Sequence, residues 1–114
     1  MSDCLFCAIA AGDIPADVVM RTDRVMAFRD IEPKAPVHVL VIPIDHHQDV
    51  PSVGLADPLL AAELLQTAFQ VAEAEGVADS GYRLVANTGR DGGQTVPHAH
   101  LHVLGGRGLG WPPG

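Results

Sequence analysis

The sequence reads Pro97-His98-Ala99-His100-Leu101-His102-Val103-Leu104 near its C-terminal end, so histidines alternate with apolar residues. Successive side chains of a β-strand point to opposite faces of the sheet, so a period of two predicts a strand over 97–104. The three imidazoles would then share one face, while Ala99, Leu101 and Val103 pack on the other. We therefore predict a strand that carries a row of histidines.

Further strands are predicted upstream of this stretch. Val18–Arg21 and Val25–Arg29 are short apolar or β-branched runs on either side of a brief turn, a pattern typical of a hairpin. Residues 37–42 are apolar except for His38, so this strand should lie centrally in a sheet that is covered on both sides. Tyr82–Thr88 is predicted as the fourth strand, and the histidine-rich stretch as the fifth.

Two helices complete the pattern. Residues 3–11 predict a short N-terminal helix with Asp3 as its N-cap. Asp57 followed by Pro58 predicts the start of one long helix that ends near Gly76. Its apolar residues recur at helical spacing, at Leu60, Leu64, Ala68 and Val71. The order of these elements predicts an α+β fold with one five-stranded, mainly antiparallel sheet.

Length and composition limit the organisation of the chain. Its 114 residues are enough for one domain, which we predict to span 1–114, and 47% hydrophobic with 18% charged residues is typical of a globular protein. The longest apolar stretch is far shorter than the roughly 20 residues that span a membrane. The apolar residues 5–11 follow an acidic residue and lack a basic flank, so they do not indicate a secretory signal. We expect a cytoplasmic protein.

The charge of the chain excludes one class of partner. A net charge of −7, with one lysine and six arginines against fourteen acids, leaves no basic stripe for a nucleic acid polymer. A single phosphate remains possible as a ligand, because backbone N–H groups and imidazoles can hold it. The glycine-rich turn 89–93 comes directly before the polar residues Gln94 and Thr95. Because this turn leads into the histidines, it is a candidate phosphate-binding loop.

Three interpretations of the histidine row are open at this point. The first is a solvated strand face, which brings no packing benefit from three weak β-formers. The second is a three-histidine catalytic metal site, but same-face neighbours about 6.5 to 7 Å apart suit chelation by two histidines better than by three. The third is nucleophilic catalysis by a neutral imidazole, with the neighbouring imidazoles donating to the attacked anion. The third interpretation fits phosphoryl or nucleotidyl transfer.

The Cys4-x-x-Cys7 pair also has three interpretations: buried small hydrophobes, a redox dithiol, or half of a zinc site. A thioredoxin-like motif should follow a strand in a βαβ unit, and no such strand precedes Cys4. A zinc site needs about two more ligands.

Several motifs together resemble those of the histidine triad family, in particular its nucleotide-binding branch. They are His98-x-His100-x-His102, Cys4-Leu5-Phe6-Cys7, Gly12-Asp13-Ile14-Pro15, Ala27-Phe28-Arg29-Asp30-Ile31, Val41-Ile42-Pro43, Asp91-Gly92-Gly93-Gln94 and the segment from Gly105-Gly106-Arg107 to Trp111-Pro112-Pro113-Gly114. The resemblance covers nearly the whole chain. It implies a homodimer whose two sheets join into one of ten strands, and hydrolysis of the P–N bond in AMP or GMP phosphoramidates without a cofactor for the chemistry.

The resemblance also assigns roles to residues. His100 would be the nucleophile that forms a nucleotidyl-imidazole intermediate, flanked by His102 and His38, with His98 as the first histidine of the triad. Asp30 would bind the ribose, and Trp111 would reach the active site of the partner subunit. The base would lie against Leu5, Phe6, Ile9, Phe28 and Ile31, and the phosphate against Asn87, Gln94, Thr95 and the N–H of Val96. Threonine stands at position 95 where many relatives have serine, and the hydroxyl is retained.

Many bacterial relatives that resemble this chain complete a Cys-x-x-Cys zinc site with two histidines. By this resemblance the ligands here would be Cys4, Cys7, His46 and His98, with His47 as the competing choice beside His46. Such a structural zinc would tie the N-terminal helix to the sheet. If His98 is a ligand, it cannot also move protons.

Two other functions remain open. Another branch of the same family cleaves dinucleoside polyphosphates with the same nucleophile. The chain could also be a nucleotide-binding scaffold whose hydrolysis is vestigial.

Overall fold

A computed structural model describes residues 3–114, in which eight elements follow one another along the chain. They are α1 (Leu5–Ala10), β1 (Val18–Arg21), β2 (Val25–Arg29), β3 (Val37–Pro43), α2 (Val50–Ala56), α3 (Pro58–Ala74), β4 (Tyr82–Val85) and β5 (Leu101–Gly105). The strands form one five-stranded sheet with the order β1-β2-β3-β5-β4, and every pairing is antiparallel. The predicted α+β class and antiparallel sheet are confirmed.

The register between β3 and β5 brings two distant histidines to one face. His38 lies opposite Leu104, and Leu40 lies opposite His102. Since residues that pair across an antiparallel ladder share a face, and so do residues two apart on one strand, His38 and His102 are diagonal neighbours. The pairing of the two central strands therefore assembles part of the site.

The two faces of the sheet are covered differently. Helix α3 packs on the face formed by Val39, Val41 and Val103 and closes the larger core with Leu64 and Val71. Its start is capped as predicted, because the Asp57 carboxylate accepts the Leu60 N–H and Pro58 occupies the first turn. The opposite face is covered by α1, which contributes to a smaller cluster formed by Phe6, Ile9, Ala10, Met26, Phe28, Leu40 and Ile42.

Element boundaries differ from the prediction at three places. Helix α1 begins one residue later than expected, because Cys4 is extended and its Sγ accepts the Cys7 N–H, so Cys4 and not Asp3 is the N-cap. Strand β4 ends at Val85, before the predicted end at Thr88. Strand β5 begins at Leu101, so residues 97–100 precede it.

The late start of β5 has a visible cause. The Ala99 N–H donates to the carbonyl of His47 at 2.7 Å, and the His98 N–H donates to the carbonyl of Val96 at 2.9 Å. These backbone groups therefore bond to loops and not to a neighbouring strand. Of the three predicted strand histidines, only His102 lies in the ladder.

Helix α2 was not expected from the sequence. Asp49 caps it by accepting the Ser52 N–H at 2.9 Å, and Pro51 lies in its first turn. The helix has only seven residues and contains Gly54, so its periodicity was too short to stand out. Within residues 3–114, no helix has the length and hydropathy needed to cross a membrane.

Candidate active site and metal centre

The ring of His100 is held in one tautomer by the backbone. Its Nδ1 lies 2.7 Å from the carbonyl oxygen of His98, which can only accept, so Nδ1 carries the proton and Nε2 carries the lone pair. The residue is buried, and it lines an apolar cavity on the α1 side of the sheet. A buried neutral imidazole with a free Nε2 is the form of histidine that acts as a nucleophile.

A chain of hydrogen bonds fixes the tautomers of two further histidines. The Lys34 N–H donates to Nδ1 of His38 at 3.0 Å, so the proton of His38 is on Nε2. This Nε2–H donates to Nδ1 of His102 at 2.9 Å, which leaves the proton of His102 on its own Nε2. The rings of His102 and His100 are edge-to-face with centroids 5.0 Å apart. His102 is therefore a hydrogen-bond donor beside the nucleophile.

Burial keeps these flanking imidazoles neutral. Burial first, and then the neighbouring His100 and His38, lower the pKa of His102 to about 4 from the ordinary 6.5. Burial also lowers the pKa of His38, although the carboxylate of Asp30, 3.5 Å from His38 Nε2, opposes this effect. Both rings are uncharged near neutral pH, so each has a single N–H. The N–H of His38 is used by His102, which leaves the Nε2–H of His102 as the one that can donate to an anion.

A cavity of about 250 Å³ opens beside these histidines. Its walls are mostly apolar and come from α1, β2 and the segment around residue 15. It is lined by Leu5, Phe6, Ile9, Ile14, Pro15, Ala16, Phe28, Arg29, Asp30, Ile31, Leu40, Thr95, Val96, His100 and His102. All five residues expected to contact the base are present, together with Asp30, Thr95 and Val96. Ile31 is 94% exposed, so it stands at the mouth of the cavity.

Asn87 and Gln94, which the resemblance placed against the phosphate, are engaged in holding the glycine-rich turn. Asn87 Nδ2 donates to the carbonyl of Gly92 at 2.6 Å. Gln94 accepts the Gly89 N–H at 3.1 Å through Oε1, and its Nε2 donates to the carbonyls of Gln48 and Val96. Neither residue lines the cavity. In this structure both side chains shape the turn.

The same turn requires glycine at position 92. A Cβ on Gly92 would lie 2.4 Å from the carbonyl oxygen of Thr88, a distance that no side chain tolerates. Gly93 has a φ of +78°, in the left-handed region that glycine adopts at low cost. The Asp91-Gly92-Gly93-Gln94 motif is therefore a structural requirement of this backbone path.

A second group of side chains forms a candidate metal centre at the start of α1. Cys4, Cys7, His46 and His98 each present a ligand atom, and these atoms lie within 4.8 Å of one another. His98 Nδ1 is 3.3 Å from Cys4 Sγ, 3.5 Å from Cys7 Sγ and 3.2 Å from His46 Nδ1. In a tetrahedron with zinc–nitrogen bonds of about 2.0 to 2.1 Å and zinc–sulfur bonds of about 2.3 Å, ligand atoms lie about 3.3 to 3.8 Å apart. The donor set and its spacing fit a tetrahedral metal.

The tautomer of His98 also fits a metal ligand. Its Nε2 lies 2.8 Å from the carbonyl oxygen of Pro43, so Nε2 carries the proton and Nδ1 faces the two sulfurs with its lone pair. Burial lowers the pKa of His98, which keeps the ring neutral. His46, and not His47, is the neighbour that joins this group.

The structure thus divides the predicted histidine row between two places. His100 and His102 face the cavity, whereas the ring of His98 faces the cysteines. Trp111 is 84% exposed and lies outside the cavity lining. Sequence reasoning missed Ile14, Pro15, Ala16, Arg29 and Leu40 as cavity residues, although the motifs Gly12-Asp13-Ile14-Pro15 and Ala27-Phe28-Arg29-Asp30-Ile31 were signals for three of them. It also missed the carbonyl of Pro43 and the N–H of Lys34, which only the fold can locate.

Comparisons with known proteins agree on one family. The family model described as the HIT domain matches residues 11–109. A crystal structure of a HIT family hydrolase from Legionella pneumophila superposes with a TM-score of 0.94 at 51% identity, over 98% of this chain and 100% of that one. The purine nucleoside phosphoramidase of Escherichia coli is 45% identical over 93% of this chain and 89% of its own length. An uncharacterised HIT-like protein of Synechococcus elongatus is 47% identical over 98% of this chain and 97% of its own.

Proposed function

Because the chain belongs to the histidine triad family, we propose that it hydrolyses purine nucleoside 5′-phosphoramidates through a nucleotidyl-histidine intermediate. The observation that carries this proposal is the tautomer of His100, whose Nδ1–H is bonded to a carbonyl while Nε2 stays free beside an apolar cavity. The name of the Escherichia coli relative supports the choice of substrate. A phosphoramidate joins a nucleoside monophosphate to an amine by a P–N bond.

The reaction proceeds in two displacements at phosphorus. In the first, the Nε2 lone pair of His100 attacks phosphorus, the P–N bond to the amine breaks, and the amine leaves with a proton taken up from its surroundings. In the second, water attacks the phosphorus of the nucleotidyl-imidazole, the bond to Nε2 breaks, and the nucleoside monophosphate is released. The imidazole regains its lone pair, so no cofactor takes part in the chemistry.

Neighbouring groups stabilise the charge that develops on the phosphoryl oxygens. The Nε2–H of His102 is a neutral donor beside His100, and Thr95, which carries a hydroxyl, lines the same cavity. We assign no such donor role to His98, because its Nδ1 faces the cysteines and its Nε2–H donates to a carbonyl. The proton for the leaving amine then comes from another group or from water.

The cavity suits a purine nucleoside. Its apolar walls, which include Phe6, Phe28 and Leu5, can stack on and bury a base. Asp30 lines the same cavity, and its Oδ1 accepts the Glu32 N–H at 2.8 Å, so the carboxylate is held in place with acceptor capacity left for the ribose hydroxyls. These contacts would leave the phosphate near His100.

We also propose that Cys4, Cys7, His46 and His98 bind a structural zinc ion. Two thiolates and two imidazoles form a closed tetrahedral donor set, which leaves no open position for a reacting water. Zinc there would hold α1 against the segment that carries His98. It would supply no step of the hydrolysis.

A homodimer is the proposed assembly. Apolar side chains are exposed along α2 and α3, with Leu55 at 89%, Leu59 at 79% and Phe69 at 48% exposure. Strand β4 lies at the edge of the sheet, and an edge strand can pair with the same strand of a second copy. Two sheets of five strands joined at β4 would form the expected ten-stranded sheet.

Steady-state kinetics on a small panel of nucleotides tests the proposed activity. Adenosine 5′-phosphoramidate, guanosine 5′-phosphoramidate and diadenosine tetraphosphate distinguish P–N from P–O–P cleavage. We expect the highest kcat/KM for a P–N substrate, and mass spectrometry of acid-free quenched reactions should find AMP attached to the peptide that contains His100. Preferred cleavage of the tetraphosphate would indicate a dinucleoside polyphosphate hydrolase, as in the other branch of the family. AMP binding without turnover of any of the three compounds would indicate a scaffold.

A further inference from the structure

The segment that carries the nucleophile lies outside the ladder of paired strand residues. Residues 97–100 precede β5, which begins at Leu101. The segment bonds instead through the Ala99 N–H to the carbonyl of His47, in the loop after β3, at 2.7 Å, and through the His98 side chain to the carbonyl of Pro43, the last residue of β3, at 2.8 Å. The position of His100 therefore depends on what fixes this segment.

The candidate metal centre joins three segments that are far apart in sequence. Cys4 and Cys7 belong to the start of α1, His46 to the loop after β3, and His98 to the segment just described. No short stretch of the chain links these three segments to one another. The four ligand side chains bring all three segments to one point.

Each of the three segments forms or supports one wall of the cavity. Helix α1 supplies Leu5, Phe6 and Ile9. The loop after β3 holds the glycine-rich turn, because the carbonyl of Gln48 accepts from Gln94 Nε2 at 2.7 Å. The third segment supplies His100, whose Nδ1–H is fixed by the carbonyl of the ligand His98 itself.

Helix α1 is the least self-sufficient of these walls. It has six residues, and a helix of that length is not stable on its own. Its Phe6 ring packs edge-on against His98 with centroids 5.9 Å apart and against His100 with centroids 5.1 Å apart. A shift of α1 would move the base wall and the support of the nucleophile together.

We propose that metal bound at this centre sets the shape of the nucleotide cavity, so that Cys4, Cys7 and His46 are positioning residues for His100. The proposal rests on the proposed function of the cavity. It differs from a purely stabilising role, because loss of the metal should weaken nucleotide binding and turnover even in protein that remains folded. The thiolate and imidazole donors select zinc among the common divalent ions.

The test compares three forms of the full chain: zinc-loaded, stripped with a chelator, and the double variant Cys4→Ser/Cys7→Ser. Metal analysis should find about one zinc per loaded chain. We expect the stripped protein to bind AMP with a Kd raised about tenfold and to show a kcat lowered by up to about a hundredfold. Amide hydrogen exchange should become faster at Ala8 in α1 and at Ala99. Zinc should restore all these values in the stripped protein and none in the double variant.

Two matched controls separate positioning from stability. Leu64→Ala removes core volume on the α3 face, far from the cluster, and should lower Tm by several degrees while the AMP Kd stays unchanged. His47→Ala changes the histidine next to the ligand and should leave zinc content and AMP affinity as in the native protein.

The outcomes are distinct. The proposal is overturned if the loaded protein binds no zinc, or if the stripped, folded protein keeps the native AMP Kd and the native exchange at Ala8 and Ala99. If no form binds AMP, including zinc-loaded native protein and Leu64→Ala, the proposed function of the cavity is what fails. Should the double variant not fold, the stripped protein and its recovery with zinc carry the test alone.

Discussion

The two faces of the central sheet differ in what their side chains do. The face under α3 is a continuous apolar core that contains Val39, Val41, Val103 and Leu64, all at most 1% exposed. The face toward α1 carries His38 and His102 on adjacent strands, and beside them lie a cavity and a cluster of cysteines and histidines. The same strands supply both faces, because alternate residues point in opposite directions.

This difference separates stability from chemistry within one small chain. Apolar burial on the α3 side is the main favourable contribution to folding, since each buried aliphatic side chain contributes about 1.5–3 kcal/mol. On the α1 side, polar rings are buried, and each needs a specific partner to offset its desolvation. Among the described residues, no buried side-chain nitrogen or oxygen lacks a hydrogen-bond partner. Substitutions on the two faces should therefore have opposite signatures.

The largest expected effect is the loss of turnover in His100→Ala. Removal of the nucleophile should lower kcat for adenosine 5′-phosphoramidate by at least about a thousandfold, because no other described imidazole offers a free nitrogen to the cavity in the same place. AMP affinity should change little, since the base and ribose contacts remain. Quenched-reaction assays measure kcat, and calorimetry measures the Kd for AMP. Retained turnover would contradict the mechanism.

Leu64→Ala tests the α3 face, and we expect it to lower stability and not activity. The free energy of unfolding should fall by about 2–5 kcal/mol, as for other buried leucines. Activity per folded molecule should stay near the native value. If instead Leu64→Ala changed kcat as strongly as it changes stability, the two faces would not be functionally separate.

Elements of the fold that depend on local sequence were predicted well, and those that depend on distant contacts were not. Periodicity and capping are local signals, so they predicted several elements with nearly their observed bounds. These elements are the two hairpin strands, the central strand with His38 and the start of α3. The start of β5 was wrong, because Ala99 bonds to a loop whose path depends on the whole fold. Alternation of His98, His100 and His102 was correctly noticed, but a side-chain pattern does not reveal where a ladder ends.

Prediction of the site was limited in the same way. The residue types and motifs were enough to propose Cys4, Cys7, His46 and His98 as one group, yet only through resemblance to a family. Local reasoning could not choose between His46 and His47, since the choice depends on the direction in which the loop after β3 leaves the sheet. Likewise the hydrogen bonds of Gln94 to Gly89 and Gln48 place its side chain in the turn, which its sequence position alone does not indicate.

A smaller effect concerns the pH dependence of stability. The folded pKa of His102 is about 4, below the ordinary 6.5, so between these values the unfolded chain binds a proton that the folded chain does not. Stability should therefore rise as the pH increases from about 4 to about 6.5, and be lost in the opposite direction. The buried His38, whose pKa is also lowered, acts with the same sign.

Urea midpoints of chelator-treated protein across this pH range measure the effect. In His102→Gln one of the titrating groups is absent, so the rise of the midpoint with pH should become shallower. Asp49 and Asp57 have pKa values lowered below 3.8, and their carboxylates lose their stabilising contacts only at lower pH, outside this window. An unchanged slope in His102→Gln would mean that the ring is not neutral in the folded state.

The smallest effect on stability is expected at the C-terminal end. Trp111 is 84% exposed, and its segment is attached to the body by Arg83, which donates to the carbonyls of Leu109 and Gly110. Because the ring buries little surface within one subunit, Trp111→Ala should change the free energy of unfolding by less than about 0.5 kcal/mol.

Within a dimer, the same variant should still alter substrate choice. We expect kcat/KM to fall a few-fold for a phosphoramidate with a bulky amine and to stay constant for adenosine 5′-phosphoramidate, because the exposed indole would contact the leaving group bound to the partner subunit. Pro113→Ala, in the same exposed segment, is the matched control, and sedimentation should first establish that all three proteins are dimers. For each variant, kcat/KM for the bulky-amine substrate is divided by kcat/KM for adenosine 5′-phosphoramidate. If this ratio is the same in Trp111→Ala and Pro113→Ala, the indole lies outside the partner's site, and substrate selection is confined to the α1 face of a single subunit.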